Sequence, residues 1–164
     1  MRKFLEHYDK IFVDIDDTLI YGWFTVFMHY EWMLLRNNFI SALAMKIQNM
    51  FNLYKVNRKL MYMLKPIPSK FSDEHIIFLT VRAKSKDTEK MINKIMNVCN
   101  SNYSFEVVAL GSDNGHEDKA RYIYENYGDE KCLLIDDNKL NRDTAEKYGI
   151  DTFDPKLLRE EFIG

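Results

Sequence analysis

The stretch IFVDIDDTLI, at positions 11–20, constrains the fold more than any other part of the chain. An apolar run that is typical of a buried strand ends in three acids, Asp14, Asp16 and Asp17, followed by Thr18. Carboxylates at the end of a buried strand repel each other and lose hydration. The pattern therefore predicts that a positive charge, or a chemical task, lies at this strand end.

Further apolar runs predict strands over 76–80, 105–110, 132–135 and 150–153, and helical patterns cover 88–98, 119–127 and 144–148. Strands that alternate with helices form parallel sheets covered on both faces, and sites in such sheets lie at the carboxyl ends of strands. Asp14, Thr80 and Asp136 all fall at predicted strand ends. The sequence thus predicts an α/β fold with a Rossmann-like, three-layer parallel sheet.

Residues 21–69 interrupt this alternation. Apolar residues at helical spacing predict helices over 23–35, 39–54 and 56–64. Gly22 marks one edge of the interruption, and Pro66 and Pro68 mark the other, where they should end the last helix. We therefore predict a core made of residues 1–20 and 70–164 and a small helical insertion at 21–69.

Charge is unevenly distributed along the chain. The stretch 32–72 holds seven basic residues and no acidic one, while the remainder holds 16 basic and all 25 acidic residues. The net charge of −2 excludes a protein that is polycationic throughout. The basic stretch favours anionic partners, and its interleaved aromatics suit stacking on a nucleobase. Equally, the aromatics could form a small core of the insertion, with the lysines as its solvated face.

Several features bear on the compartment. Charges run through the first ten residues, so no apolar signal core is visible, and no apolar stretch is long enough to span a membrane. The two cysteines, Cys99 and Cys132, form no disulfide framework or zinc spacing. A basic amphipathic insertion could also lie on an anionic membrane surface, although no lipid anchor is visible. We expect a cytoplasmic protein without stable membrane insertion.

Four pieces in chain order resemble the haloacid dehalogenase-like (HAD) hydrolase superfamily. They are Asp14-x-Asp16-x-Thr18, the strand-ending Thr80, Lys119 as the opening residue of a predicted helix, and Asp136-Asp137 at the end of the run LLIDD. The resemblance covers the whole chain. It implies a HAD-type core, with residues 21–69 as a helical cap between the first and second motifs.

The resemblance implies a role for each matching residue. Asp14 would be the nucleophile that forms an aspartyl phosphate, and Asp16 the general acid and then the general base. Thr80 would bind a phosphate oxygen. Lys119 would balance negative charge and hold both Asp14 and the phosphate.

The same resemblance implies a Mg²⁺ site. Its ligands would be Asp14, Asp136 and the backbone carbonyl of Asp16, oxygen ligands that suit a hard cation. Thr18 would order the loop, and Asp137 would bind metal through water or orient Lys119. Asn141 stands where some relatives carry another acid, a departure that affects the outer part of the metal site.

Other polar residues have plainer interpretations. Asp17 is expected to be a turn or capping acid. Arg82 could touch substrate or form a surface ion pair. His116 is expected on a loop surface, and His29 is expected to pack within the insertion.

The expected function is Mg²⁺-dependent hydrolysis of a small phosphomonoester, such as a nucleoside monophosphate. The presence of Asp16 favours phosphate esters over dehalogenation, but phosphosugar mutases keep this acid too. Two alternatives stay open: a phosphatase of nucleic-acid ends, which would use the basic stretch on the phosphate backbone, and a catalytically silent binding or regulatory protein of the same fold. One sequence does not determine the oligomeric state.

Overall fold

The computed structural model of the chain describes residues 2–22, 54–64, 75–82, 106–111 and 114–160. Its strands are β1 (Lys10–Asp14), β2 (Ile20–Gly22), β3 (Tyr54–Val56), β4 (Ile76–Thr80), β5 (Glu106–Ala109), β6 (Cys132–Ile135) and β7 (Asp151–Phe153). Its helices are α1 (Arg2–Leu5), α2 (Arg58–Met63), α3 (Gly115–Tyr127), α4 (Lys139–Lys147) and α5 (Leu157–Glu160).

Five strands form a parallel sheet in the order β5-β4-β1-β6-β7. The chain lays down β4 and β5 on one side of β1 and then places β6 and β7 on the other side. Carboxyl ends of β1, β4 and β6 are therefore neighbours, and the strand order reverses direction at β1, where α/β sheets commonly bind ligands. The predicted α/β class and parallel sheet are confirmed.

The sheet is buried on both faces because alternate residues of its central strands enter different hydrophobic clusters. Ile11 and Val13 of β1 pack on the face that is covered by α1, α2 and α5, whereas Phe12 packs on the face covered by α3 and α4. This explains why the central strands read as continuous apolar runs rather than as alternating ones. Cys132 is part of the second cluster and is a free, buried thiol.

Two helices begin earlier than their apolar spacing predicts. α3 begins at Gly115, so Lys119 lies a full turn inside the helix and does not open it. α4 begins at Lys139, after the N-cap Asn138, whose side chain accepts a hydrogen bond from the backbone N–H of Leu140. Both first turns are rich in polar residues, which carry no apolar periodicity.

A two-stranded antiparallel ribbon rises from the loop that follows β1. Strand β2 pairs with β3, so that Ile20 faces Val56 and Gly22 faces Tyr54. Tyr54 is therefore a strand residue, and the helix predicted over 39–54 was wrong at this position. The helices predicted over 23–35 and 88–98, and the rest of the helix over 39–54, lie outside the described residues.

Residues 54–64 pack against the core, although they fall within the range predicted as an insertion. The predicted third helix is present as α2, which follows the N-cap Asn57. Leu60, Met61 and Leu64 are buried in the same cluster as β1 and β4. The position of the second domain boundary, at 69, stays a prediction because residues 65–74 lie outside the described part.

Candidate active site

The loop after β1 delivers its acids in a tight turn. Asp14 is the last residue of β1 and is 5% exposed. The backbone N–H groups of Leu19 and Ile20 both donate to the carbonyl of Ile15, which closes the loop. Asp17 has a φ of 58°, a left-handed conformation that aspartate tolerates better than most residues. The prediction that Asp17 is a turn acid is confirmed.

Lys119 joins two of the acids. Its Nζ atom lies 2.5 Å from Oδ1 of Asp14 and 2.7 Å from Oδ2 of Asp136, and the side chain is 2% exposed. Burial lowers the pKa of Lys119, but the carboxylates of Asp14 and Asp136 outweigh burial and raise it overall. The ammonium therefore stays charged between the two strand ends.

Burial of the Asp14 carboxyl group raises its pKa well above the ordinary value. Lys119 opposes the rise, and Asp136 and Asp16 add to it through like-charge repulsion. The single positive charge of Lys119 therefore does not fully offset burial and the negative charges of Asp136 and Asp16. Further positive charge at this point would stabilise the ionised form of Asp14.

Asp136 follows β6 and is fully buried. Besides Lys119, its carboxylate accepts hydrogen bonds from the backbone N–H of Asn138 and from Nδ2 of Asn141, each at 2.8 Å. Asn141 therefore acts as a donor that orients Asp136, at the position where an acid would have offered another acceptor. Sequence reasoning identified the departure but not this contact.

Thr18 and Asp137 connect the loop after β1 to the loop after β6. The buried Oγ1 of Thr18 accepts from the backbone N–H of Asp137 at 2.9 Å and donates to Oδ1 of Asp137 at 3.4 Å. The structure thus brings together the two side chains that were expected to support the site.

Two cations outside the site hold the backbone of the loop after β6. Arg142 of α4 donates to the carbonyl of Asp136 and, through Nη2, to the carboxylate of Asp154, each at 2.7 Å. Lys156 donates to the carbonyl of Asp137 at 3.0 Å and lies 3.2 Å from its Oδ2. Arg142 of α4 and Lys156, which follows β7, therefore both fix the backbone of this loop. Their sequence contains no motif that predicts these contacts.

Carboxylate oxygens of Asp14, Asp136 and Asp137 all lie within 4.8 Å of one another. A cluster of this size, made of oxygen donors alone, fits a small hard cation such as Mg²⁺. The predicted metal set contained Asp14, Asp136 and the Asp16 carbonyl, so the side-chain cluster shares two residues with it and adds Asp137.

Thr80 ends β4 and is fully buried. Its Oγ1 accepts a hydrogen bond from the backbone N–H of Arg82 at 3.2 Å. The side chain of Arg82 in turn pairs with Asp16, with Nε at 2.8 Å from Oδ2 and Nη2 at 2.5 Å from Oδ1. Of the two interpretations of Arg82, the structure shows an ion pair, and its partner is a site residue.

Two histidines were also considered from the sequence. His116 lies in the first turn of α3 and is half-buried, so the prediction of a loop position was wrong. His29 falls outside the described residues. Within the described ranges, no helix is both long enough and apolar enough to cross a membrane.

A scan against protein-family models finds no match. A search of curated proteins likewise finds no similar sequence. The geometry of the site and the motif resemblance are therefore what indicate a function for this chain.

Proposed function

We propose that this chain is a Mg²⁺-dependent phosphomonoester hydrolase that acts through an aspartyl phosphate on Asp14. The observation that carries the proposal is the contact of the buried Lys119 with two strand-end carboxylates, those of Asp14 and Asp136. The carboxylate of Asp137 lies next to this pair. This arrangement follows the pattern of the HAD superfamily, in which matching residues perform phosphoryl transfer. An ion pair with a structural role alone would not need a third carboxylate, that of Asp137, within 4.8 Å of the carboxylate oxygens of Asp14 and Asp136.

The chemistry has two steps. Asp14 attacks phosphorus, the bond from phosphorus to the ester oxygen breaks, and Asp16 gives the departing oxygen a proton. Water then attacks the aspartyl phosphate after losing a proton to Asp16, which regenerates the Asp14 carboxylate and releases inorganic phosphate. Each step places negative charge on phosphoryl oxygens, and fixed positive groups lower its cost.

The chain's own residues share these tasks. Lys119 holds the Asp14 carboxylate in place and offers charge to a phosphoryl oxygen. The hydroxyl of Thr80, at the neighbouring strand end, would bind another. Asp14, Asp136 and Asp137 would hold Mg²⁺, which when bound neutralises the acids and the phosphoryl group. The side chain of Asp14 is buried, which limits the access of bulk water to the nucleophile.

We propose a small anionic phosphomonoester as the substrate class, with a nucleoside monophosphate as the favoured member. Its support is the basic, aromatic stretch between positions 32 and 72. Part of that charge has a structural use, since Lys59 donates to the carbonyl of Leu158. The substrate panel below therefore includes an end-phosphorylated oligonucleotide, whose preference would favour a phosphatase of nucleic-acid ends.

The test measures phosphate release from a panel of esters with Mg²⁺ or with EDTA. The panel holds nucleoside 5′- and 3′-monophosphates, a sugar phosphate and the oligonucleotide. We expect release that needs Mg²⁺ and that falls by at least about 10⁴-fold in Asp14→Asn, because the covalent route is then closed. Asp143→Asn, which changes a surface acid paired with Lys139, is the matched control and should retain full activity.

Two results would count against the proposal. Full activity in Asp14→Asn would exclude the covalent mechanism. An inactive wild-type protein that still binds Mg²⁺ by calorimetry would favour the silent binding protein or a mutase.

A further inference from the structure

The pair formed by Arg82 and Asp16 joins two loops at the proposed site. Both nitrogen–oxygen contacts of the guanidinium fork are made, and the partners are 66 positions apart in sequence. The side chain of Arg82 is 19% exposed and that of Asp16 is 38% exposed. Exposed monodentate pairs contribute little to stability, but a bidentate pair constrains both the distance and the plane of the carboxylate, and here the guanidinium is mostly covered.

Arg82 is itself held on both sides of its backbone. Its N–H donates to the hydroxyl of Thr80, and its carbonyl accepts from the N–H of Gly111 at 3.1 Å. The guanidinium is thus attached to the end of β4 and to the segment after β5. Because the backbone of Arg82 is fixed to these two strand ends, its side chain can hold the loop that carries Asp16 in a defined position.

Within the described residues, Asp16 forms no ion pair with Lys119 and adds no carboxylate oxygen to the acid cluster, although its charge repels that of Asp14. Lys119 contacts Asp14 and Asp136, and the oxygen cluster within 4.8 Å comprises Asp14, Asp136 and Asp137. Among the described residues, the Asp16 carboxylate accepts its hydrogen bonds from Arg82. The structure therefore separates one carboxylate from three that lie together.

We propose that Arg82 is a positioning residue that orients the Asp16 carboxyl group for proton transfer; this inference rests on the proposed function. A carboxylate has about four lone-pair positions, and the fork uses one on each oxygen. The remaining positions stay available to a leaving oxygen or to water. When the plane of the Asp16 carboxyl group is fixed, its remaining lone pairs point in a defined direction. Proton transfer to or from the leaving oxygen or water depends on this direction.

The test compares two esters that differ in their need for a proton. An alkyl phosphate needs its leaving oxygen protonated, whereas 4-nitrophenyl phosphate expels a stable phenolate. In Arg82→Met we expect kcat/KM for the alkyl ester to fall roughly 10- to 100-fold, a share of the roughly 10²- to 10⁴-fold that general acid catalysis supplies. This ratio reports the phosphorylation of Asp14, in which the leaving oxygen takes its proton, and not the later hydrolysis, which is the same for both esters. The fall in kcat/KM for 4-nitrophenyl phosphate should be severalfold smaller.

A double mutant separates action through Asp16 from direct action on substrate. Asp16→Asn should show the same dependence on the leaving group, and adding Arg82→Met to it should lower kcat little further. Arg82→Lys, which keeps the charge but loses the fork, should recover only part of kcat. Arg121→Met removes a surface arginine paired with Asp118 and is the matched control.

Each contrary outcome has a distinct meaning. Equal loss of kcat/KM for both esters, or a loss that comes from KM alone, would overturn the positioning role and indicate a structural or substrate-binding arginine. Additive losses in the double mutant would overturn it as well. If Arg82→Met fails to fold, as judged by its melting temperature, the same comparison is made with Arg82→Lys. A wild-type protein that hydrolyses neither ester would overturn the proposed function and this inference together.

Discussion

Lys119 is the residue on which the arrangement of the acids depends. It lies at the second turn of α3, where a lysine would ordinarily be solvated. In this fold its ammonium contacts Asp14 and Asp136, and these contacts compensate for the burial of all three groups. Removing the cation leaves two buried carboxylates that repel each other.

We expect Lys119→Met to lower the free energy of unfolding by roughly 3–5 kcal/mol at pH 7, the usual cost of leaving a buried charge without its partner. Buried carboxyls bind protons more tightly in the folded state, as the raised pKa of Asp14 shows, so this loss should shrink as the pH is lowered. Urea denaturation between pH 5 and pH 7 measures both effects.

The control for this variant is Lys139→Met, which breaks the exposed ion pair of Lys139 with Asp143, one turn further along α4. Its effect should stay within about 0.5 kcal/mol. Mg²⁺ should recover part of the stability lost in Lys119→Met, because a bound cation would again balance the acids. Equal stability of the two variants would contradict the role of Lys119 as the central counter-charge.

At the scale of single elements, the start of α3 determines how closely Lys119 approaches the sheet. Gly115 is the first residue of this helix and lies against Val81, which follows Thr80. A Cβ atom built on Gly115 would lie 2.6 Å from Cγ1 of Val81, too close for any real contact. The absence of a side chain therefore lets the helix approach the strand end that carries Thr80.

We expect Gly115→Ala to destabilise the protein even though alanine favours helices. Overpacking costs roughly 1–3 kcal/mol, whereas replacing a helical glycine gains at most about 1 kcal/mol. The proposed phosphatase activity should fall as well, since the displaced Val81 is bonded directly to Thr80. Urea denaturation and activity assays would measure the two effects.

A second substitution serves as the control for this contact. Val81→Ala removes the methyl groups that meet the new Cβ, so the double variant Gly115→Ala, Val81→Ala should be more stable than the sum of the two single changes predicts. Strictly additive free energies would show that the approach of α3 to Val81 does not limit the helix position.

At the scale of the whole molecule, the ribbon of β2 and β3 determines where the inserted residues leave the core. Gly22 and Tyr54 are paired across this ribbon, so residues 23–53 begin and end at neighbouring points. The segment 54–64 then returns to the core, where Leu60 and Leu64 are fully buried. These contacts make α2 part of the hydrophobic core.

Two deletions test this division. Replacing residues 23–53 with Asn-Gly, a pair that favours tight hairpin turns, should leave a folded protein, because the strands at both ends keep their pairing. Replacing 21–69 removes Leu60, Met61 and Leu64, and should prevent cooperative folding, since each buried leucine alone contributes about 2–5 kcal/mol. Circular dichroism during heating distinguishes the two. A cooperative transition in the longer deletion would instead support the boundaries predicted from sequence.

Sequence alone predicted the strands and the acids at their ends. Each described strand of the sheet was located to within about a residue at either end, because buried parallel strands are short apolar runs that local composition shows directly. The placement of Asp14, Thr80 and Asp136 at one edge then follows from the shared direction of the strands. These features depend only on neighbouring residues and on the rule that parallel strands end together.

Tertiary structure alone decided which distant groups meet. The pairing of Arg82 with Asp16 and the return of α2 to the core join residues far apart in the chain, and Lys156 holds the carbonyl of Asp137 from 19 positions away. No local pattern encodes these contacts, because they depend on the order of the strands in the sheet and on the position of each helix against it. A sequence shows which side chains a strand end offers, and the packing of the whole chain determines which partners each of them finds.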